Sequence, residues 1–246
     1  MTYCVGLRVA EGLVLLADTQ TNAGMDNVSR FTKMFTFEKP GERVMALLTS
    51  GNLSITQGVI ARLRYGIQKG AKDPSHPTIM SVESLFEVAQ LIGAEMKRMQ
   101  SENREAIVQQ GTSADASILL AGQRKGGKHR LFLIYSAGNF IQATEDTPYF
   151  QLGEHKYGKP ILDRIITPQS SIEESMKAVC VSMDSTLRSN LSVGMPLDLA
   201  VIEKDALTFR IRRRIERDDP RFSAISQSWS RAIRKGFEEL PNFLES

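Results

Sequence analysis

The sequence predicts an α+β fold in which two antiparallel sheets pack face to face and helices cover their outer sides. Strand patterns occur in pairs joined by polar turns, and helical stripes lie between these pairs. The run Leu13-Val14-Leu15-Leu16-Ala17 is apolar throughout, which indicates a strand that is buried on both faces. The order of strands, two helices, strands, helix and strands fits such a layered sandwich.

The strands form four predicted antiparallel pairs. They are 2–9 with 12–18, 33–37 with 43–49, 116–121 with 130–135, and 197–203 with 207–212. In each of the first three pairs, a polar turn joins the two strands. In the turn Lys39-Pro40-Gly41-Glu42, the proline and the glycine each restrict the backbone. The turn at 124–128 is basic, which favours a solvent-exposed position.

Three helices are predicted between the strand pairs. The first runs from residue 52 to about residue 67, and an apolar stripe from Val82 to Met99 predicts the second after an extended, charged linker at 69–77. Ser171-Ile172-Glu173-Glu174 is a capping box that begins the third helix, which we expect to end near residues 189–190.

The chain is divided into a main domain at 1–216 and a helical tail at 217–246. Asp219 and Pro220 form a typical helix start. The tail helix then has one apolar face, made of Phe222, Ile225, Trp229, Ile233 and Phe237. This face either folds back on its own subunit or docks on a neighbouring one.

Composition excludes several classes of function. The 246 residues contain two cysteines, too few for a disulfide scaffold, and this indicates a reducing compartment such as a bacterial cytoplasm. No apolar run is long enough to span a membrane, and no cationic leader precedes an apolar stretch. The net charge of +3 is too small to indicate nucleic acid binding, and acidic residues interrupt the arginines at 210–217. The three histidines share no metal-ligand spacing with the cysteines.

Thr2, Asp18 and Lys33 form a candidate catalytic set at the start of the chain. Methionine is usually trimmed before a residue as small as threonine, which would leave Thr2 with a hydroxyl and a free α-amine. An amine that titrates at roughly 7.7–8.0 can remove the hydroxyl proton near neutral pH. A lysine ammonium would stabilise the alkoxide, and a buried lysine needs a carboxylate beside it. Cys4 points to the same strand face as Thr2, but we interpret both cysteines as buried free thiols.

The chain resembles the proteasome β-subunit family of N-terminal-nucleophile hydrolases, most closely its bacterial proteasome-related members. The resemblance spans roughly residues 2–212 and rests on four segments: Thr2-Tyr3-Cys4-Val5-Gly6, Gly12-Leu13-Val14-Leu15-Leu16-Ala17-Asp18-Thr19, Phe31-Thr32-Lys33-Met34-Phe35 and Ser50-Gly51-Asn52. The resemblance implies a four-layer αββα sandwich with the active threonine at the mouth between the sheets. Relatives often carry a propeptide; none is visible here, so methionine removal would free Thr2.

The resemblance also implies roles for individual residues. Thr2 is the nucleophile, Lys33 lowers its pKa, and Asp18 orients that lysine. The backbone of Ser50 and Gly51 provides the oxyanion hole.

The supporting residues match the family pattern less closely. Relatives place a small Ser-type residue after a glycine where this chain has Glu154. We assign Asp184 and Ser189 as second-tier residues that support the site. The usual Asp-x-x-Ser pattern has an aspartate three residues before the serine. If Ser189 is the matching serine, that position holds Thr186 in this chain.

The sequence therefore predicts a threonine hydrolase of peptide bonds that works as a homo-oligomeric ring or spiral, without a metal or organic cofactor. Its substrate would be a peptide or an unfolded protein. The sequence does not identify an unfoldase that would deliver this substrate. Two alternatives remain open. One is a small-molecule amidohydrolase with the same nucleophile, and the other is an assembly scaffold in which Thr2 is vestigial.

Overall fold

The computed structural model describes residues 2–22 and 28–243, with the backbone alone for Asn22 and Val28. Twelve strands and five helices lie within these residues. The strands are β1 (Tyr3–Val9), β2 (Gly12–Asp18), β3 (Gln20–Asn22), β4 (Val28–Arg30), β5 (Met34–Lys39), β6 (Arg43–Gly51), β7 (Ala116–Arg124), β8 (Arg130–Ile134), β9 (Phe140–Gln142), β10 (Tyr149–Gly153), β11 (Leu197–Glu203) and β12 (Ile211–Ile215). The helices are α1 (Leu53–Lys72), α2 (Leu85–Gln109), α3 (Lys159–Ile165), α4 (Ile172–Ser189) and α5 (Pro220–Glu238).

Ten of these strands form two antiparallel five-stranded sheets. The first sheet has the order β10-β1-β2-β11-β12, and the second has the order β5-β6-β7-β8-β9. β3 pairs with β4 in a separate hairpin. All four predicted strand pairs are present in these sheets.

Alternate residues of the central strands join different apolar clusters. In β6, Met45 and Leu47 pack with α1 and α2, whereas Val44, Ala46 and Leu48 join a cluster that contains residues of both five-stranded sheets. The outer residues of β1 and β2 pack in the same way with α3 and α4 in a third cluster. Both faces of each sheet are therefore buried, which explains the continuous apolar runs and confirms the α+β class.

Local sequence explains where the helices begin. The side chain of Asn52 accepts hydrogen bonds from the backbone of Ser54 and Ile55 at the start of α1. Ser171 and Glu174 form the predicted capping box of α4, and Asp219 caps α5 as predicted.

Several elements differ from the prediction. The short strands β3, β4, β9 and β10 and the seven-residue helix α3 were not predicted, because each is too short to show a clear period. β12 was predicted at 207–212 but begins at Ile211, because Leu207 has a φ of 52° and Glu38 accepts hydrogen bonds from Thr208 and Phe209. α2 was predicted from Val82 but begins at Leu85, because the carbonyl of Val82 accepts a hydrogen bond from the side chain of Arg43.

The tail helix α5 contacts α4. Phe222 packs against the cluster beneath α4, and Arg188 on α4 donates a hydrogen bond to Ser226 at 2.8 Å. Ile233 and Phe237, further along the same apolar face, are 52% and 74% exposed. The first half of α5 therefore packs on its own subunit, while the apolar face of the second half stays in solvent.

Candidate active site

Thr2 lies directly before β1 and is 8% exposed. Its carbonyl accepts a hydrogen bond of 2.7 Å from the backbone N–H of Glu154, which continues the pairing of β1 with β10. Gly153 approaches Thr2 so closely that an added Cβ would lie 1.9 Å from the Thr2 carbonyl oxygen. Met1, whose removal the sequence predicts, lies outside the described residues.

Asp18 ends β2 beside the start of β1, because the register pairs Cys4 with Ala17. It is completely buried, and its Oδ1 accepts hydrogen bonds from Lys33 Nζ at 2.7 Å and from the Tyr3 N–H at 2.9 Å. Its Oδ2 lies 3.4 Å from the backbone nitrogen of Gly194. One carboxylate therefore connects Lys33 to the residue that follows Thr2.

Burial raises the pKa of Asp18 above its ordinary value. The Lys33 ammonium and the N–H groups of Tyr3 and Gly194 act in the opposite direction, since they stabilise the carboxylate. The contacts of Asp18 are those of a charged carboxylate, with one cation and two amide donors around it.

Lys33 precedes β5 and is 4% exposed. Besides Asp18, its ammonium donates to the carbonyl of Gln20 at 2.5 Å. Its backbone carbonyl accepts the N–H of Thr49 at 2.9 Å, which fixes the residue against β6. Lys33 is therefore not the solvated surface charge that a lysine beside a strand would usually be.

Ser50 and Gly51 end β6 and line an open cleft of about 270 Å³. The other side of this cleft is formed by Gln151, Leu152 and Gly153, the end of the strand that pairs with β1. Gly51 has a φ of 98°, and an added Cβ would lie 2.2 Å from the carbonyl oxygen of Asp115. The cleft therefore lies between the backbone of Ser50 and Gly51 and the strand end that contacts Thr2.

The two second-tier residues lie at the end of α4. Asp184 is 7% exposed and accepts a hydrogen bond from Arg188 at 3.0 Å, whereas Ser189 is exposed on the last turn. Thr186 is fully buried, and its hydroxyl donates to the carbonyl of Ser182 at 2.9 Å. Among the described residues, the side chains of Asp184 and Thr186 therefore form their hydrogen bonds within α4, and none of these bonds reaches Thr2, Asp18 or Lys33.

Glu154 contacts Thr2 through its backbone and Asn190 through its side chain. Its side chain is buried and accepts hydrogen bonds from the Lys156 N–H and from Asn190 Nδ2, both at 3.0 Å. Asn190 contacts Glu154 and Gly194 contacts Asp18, and neither was assigned a role from the sequence. Each contacts a residue far away in the chain, so that no local pattern could have identified them.

Cys4 does not compete with Thr2 as a nucleophile. Its thiol is fully buried and lies 3.8 Å from the carbonyl of Thr49, and burial raises its pKa far above the usual value. A protonated thiol is a poor nucleophile. Both cysteines are free and buried, as predicted.

Solved structures similar to this chain identify its family. Anbu from Yersinia bercovieri, described as an ancestral β-subunit, is 40% identical, with 99% of each chain covered and a TM-score of 0.91. The Gly-1 mutant of Anbu from Hyphomicrobium sp. strain MC1 is 41% identical, again with 99% of each chain covered and a TM-score of 0.91. The chain belongs to the Anbu family. The predicted resemblance to bacterial proteasome-related subunits is thereby confirmed.

A third Anbu structure, from Pseudomonas aeruginosa, was solved as a helical assembly of the Anbu complex. It is 41% identical, covers 98% of this chain and 97% of its own, and has a TM-score of 0.90. Coverage of this extent includes α5, so the tail helix is shared with Anbu relatives and is not an addition outside their fold. No protein-family model and no curated protein matches the chain.

In the part of the chain that the structure describes, no three side chains of His, Cys, Asp or Glu are grouped to hold a metal ion. No helix among the same residues has the length and apolar character needed to cross a bilayer.

Proposed function

We propose that this Anbu chain is a threonine hydrolase that cleaves peptide bonds, with Thr2 as its nucleophile after methionine removal. The observation that carries the proposal is that Asp18 Oδ1 accepts both Lys33 Nζ and the Tyr3 N–H, next to Thr2. Buried ion pairs contribute little net stability, so one placed against the first residue of the mature chain supports a chemical role. The relation of Anbu to proteasome β-subunits supports the hydrolase class.

The proposed reaction uses only groups of this chain and water. The α-amine of Thr2 takes the hydroxyl proton, directly or through water, and Oγ1 attacks the substrate carbonyl. The amine then returns the proton to the leaving amine as the amide bond breaks, which leaves an ester on Thr2. Water hydrolyses this ester and releases the acid, with the amine again moving the proton.

Two surrounding groups stabilise the charges that develop. The Lys33 ammonium, held by Asp18, favours the alkoxide of Thr2 and the neutral form of its amine. The backbone of Ser50 and Gly51 faces the oxyanion, and it lies just ahead of α1, whose N-terminus carries partial positive charge. Oxyanion stabilisation of this kind contributes about 2.7–4 kcal/mol in a related type of site.

The proposal includes the four-layer αββα arrangement and an oligomeric enzyme. The cluster shared by both sheets and the helices beyond each sheet support four layers. The exposed apolar end of α5 and the helical assembly of the Pseudomonas aeruginosa relative support a homo-oligomer. We assign residues 1–216 to the hydrolase domain and 217–246 to the tail. Two free buried cysteines support a cytoplasmic location.

Digestion of a peptide and of an unfolded protein tests the substrate class. The purified protein should cleave a fluorogenic peptide and a permanently unfolded casein-type substrate, while Thr2→Ala should cleave neither. Activity on small amides alone would favour the amidohydrolase alternative. Equal rates for the wild-type chain and Thr2→Ala would contradict the proposal.

A further inference from the structure

Glu154 joins Thr2 to the end of α4. Its backbone N–H donates to the Thr2 carbonyl at 2.7 Å, and its carboxylate accepts Asn190 Nδ2 at 3.0 Å. The Lys156 N–H also donates to this carboxylate at 3.0 Å. A carboxylate is seldom as buried as this one, at 8% exposure, without a specific set of partners. The side chain of Glu154 is thus fixed at both of its oxygens.

Asn190 begins a short segment, residues 190–194, that returns to the candidate site. The Asn190 Oδ1 accepts the Ser192 N–H at 2.9 Å, so its amide is held inside the segment as well as by Glu154. The carbonyl of Leu191 accepts Gln20 Nε2 at 2.7 Å. The segment ends at Gly194, whose backbone nitrogen lies 3.4 Å from Asp18 Oδ2.

These contacts close a ring around Thr2. From Thr2 the path runs through Glu154 and Asn190 to Gly194, then to Asp18, and from Asp18 through the Tyr3 N–H back to the residue after Thr2. The 3.4 Å contact of Gly194 is at the long end for a hydrogen bond. A displacement of Gly194 by a few tenths of an ångström would therefore break it.

We propose that Glu154 is a positioning residue for the Thr2 site, which acts through Asn190 to hold Gly194 against Asp18. The proposal rests on the proposed function only where it names Thr2 as the reacting group. A serine at position 154 would be too short to reach Asn190 in this arrangement, so the connection depends on the length of the glutamate side chain. Loss of that connection should impair the chemical step more than substrate binding.

An exchange of the two side-chain types tests the contact itself. Asn190→Asp places two carboxylates against each other, and Glu154→Gln leaves one oxygen for two N–H donors. In the double variant Glu154→Gln/Asn190→Asp, the new amide donates to the new carboxylate, while the Lys156 and Ser192 N–H groups keep their acceptors. Glu145→Gln, at an exposed glutamate in a turn, is the matched control.

Two readouts are needed for these variants, which are compared only where their oligomer mass equals that of the wild type. Amide hydrogen exchange of the peptide that covers residues 190–196 reports the segment without any catalysis. The kcat and KM for a fluorogenic peptide report the site. We expect Asn190→Asp to lower kcat about 100-fold with little change in KM. The same variant should accelerate exchange at 190–196, and the double variant should reverse both effects.

The outcomes separate this proposal from the proposed function. A double variant no better than Asn190→Asp in exchange would overturn the proposal, as would wild-type exchange in both single variants. A wild-type protein without Thr2-dependent activity would defeat the proposed function, but the exchange data would still decide whether Glu154 holds the segment. Rescue of exchange without rescue of kcat would show that Glu154 is structural only and would also overturn the proposal.

Discussion

The charge of Asp18 determines two contacts at once, because the same oxygen accepts Lys33 Nζ and the Tyr3 N–H. Removal of Lys33 would leave a buried carboxylate with amide donors alone. Breaking a buried pair from one side is costly because the remaining charge is uncompensated. The cost therefore depends on whether that charge can be neutralised by a proton.

We expect Lys33→Met to lower the free energy of unfolding by about 3–5 kcal/mol at neutral pH. Burial raises the pKa of Asp18, so the folded protein binds a proton more readily than the unfolded chain, whose aspartates titrate at about 3.9. The deficit should therefore shrink as the pH falls through the raised pKa of Asp18 and grow as the pH rises through it. Urea unfolding at fixed protein concentration, from pH 5 to pH 8, measures it.

The double variant Asp18→Asn/Lys33→Met is the control for this experiment. It carries no charge at either position, so its stability should exceed that of Lys33→Met at neutral pH and should lack the pH-dependent deficit. A deficit in Lys33→Met that is larger at pH 5 than at pH 8 would show that Asp18 is not left charged and buried.

The N-terminus gives a second prediction for single residues. The purified chain should lack Met1, because threonine in the second position permits trimming and the proposed mechanism needs the amine of Thr2. Intact mass spectrometry measures this directly. An active protein that retains methionine would remove the α-amine from the mechanism.

Strand pairing made part of the site predictable from the sequence. Residues 2–9 and 12–18 can pair in one register around a two-residue turn, and that register places Asp18 beside Tyr3. Lys33 was predicted at the same site because it begins the next predicted strand. Glu154, Asn190 and Gly194 could not be placed in the same way, because their contacts join residues that are 36 and 176 positions apart in the chain.

The elements that the sequence failed to predict are short or distorted. β10 has five residues and ends at Gly153 with a φ of 77°, so its alternation is too brief to identify a strand. β12 was placed four residues early because the apolar residues Leu207 and Phe209 lie in a turn that Glu38 holds by its carboxylate. The capping box predicted the first residue of α4, whereas α1 begins at Leu53, one residue after its predicted start, and continues to Lys72, beyond the predicted end near residue 67.

β10 provides a prediction at the level of the element. Gly153→Ala should disrupt the pairing of β10 with Thr2, since the new Cβ would lie 1.9 Å from the Thr2 carbonyl oxygen. Gly41→Ala is the matched control, because Gly41 has a similar φ of 74° but no heavy atom within 4 Å of an added Cβ. The control should lose about 1–2 kcal/mol from backbone strain alone. Gly153→Ala should lose more and should also lose activity.

Thermal unfolding and peptide hydrolysis of both glycine variants measure this difference. If Gly153→Ala and Gly41→Ala lose the same stability and keep the same kcat, Thr2 is not held by the close approach of β10, and the geometry of the site would need revision.

For the whole molecule, the second half of α5 is the clearest candidate for a subunit contact. Ile233 and Phe237 are exposed on one face, whereas Phe222 and Arg188 already hold the start of the helix on α4. The paired change Ile233→Glu/Phe237→Glu should therefore reduce the mass of the assembly without unfolding the subunit, because it places charges in an apolar contact. Glu238→Gln, on the same exposed turn, is the control.

Analytical ultracentrifugation of these variants, and of a chain that ends before residue 219, measures the assembly. Both the charged variant and the truncated chain should form smaller particles, while Glu238→Gln should match the wild type. An unchanged particle mass in the truncated chain would show that α5 serves its own subunit alone.

Covalent labelling of Thr2 tests the central claim most directly. The wild-type chain would be treated with a threonine-directed electrophile, and intact mass and peptide mapping would locate the adduct. We predict one adduct per subunit on Thr2, none in Thr2→Ala, and strongly reduced labelling in Lys33→Met, whose fold is checked in parallel by circular dichroism. Labelling of another residue, or equal labelling of wild type and Lys33→Met, would contradict the assignment of Thr2 and Lys33 to one catalytic unit.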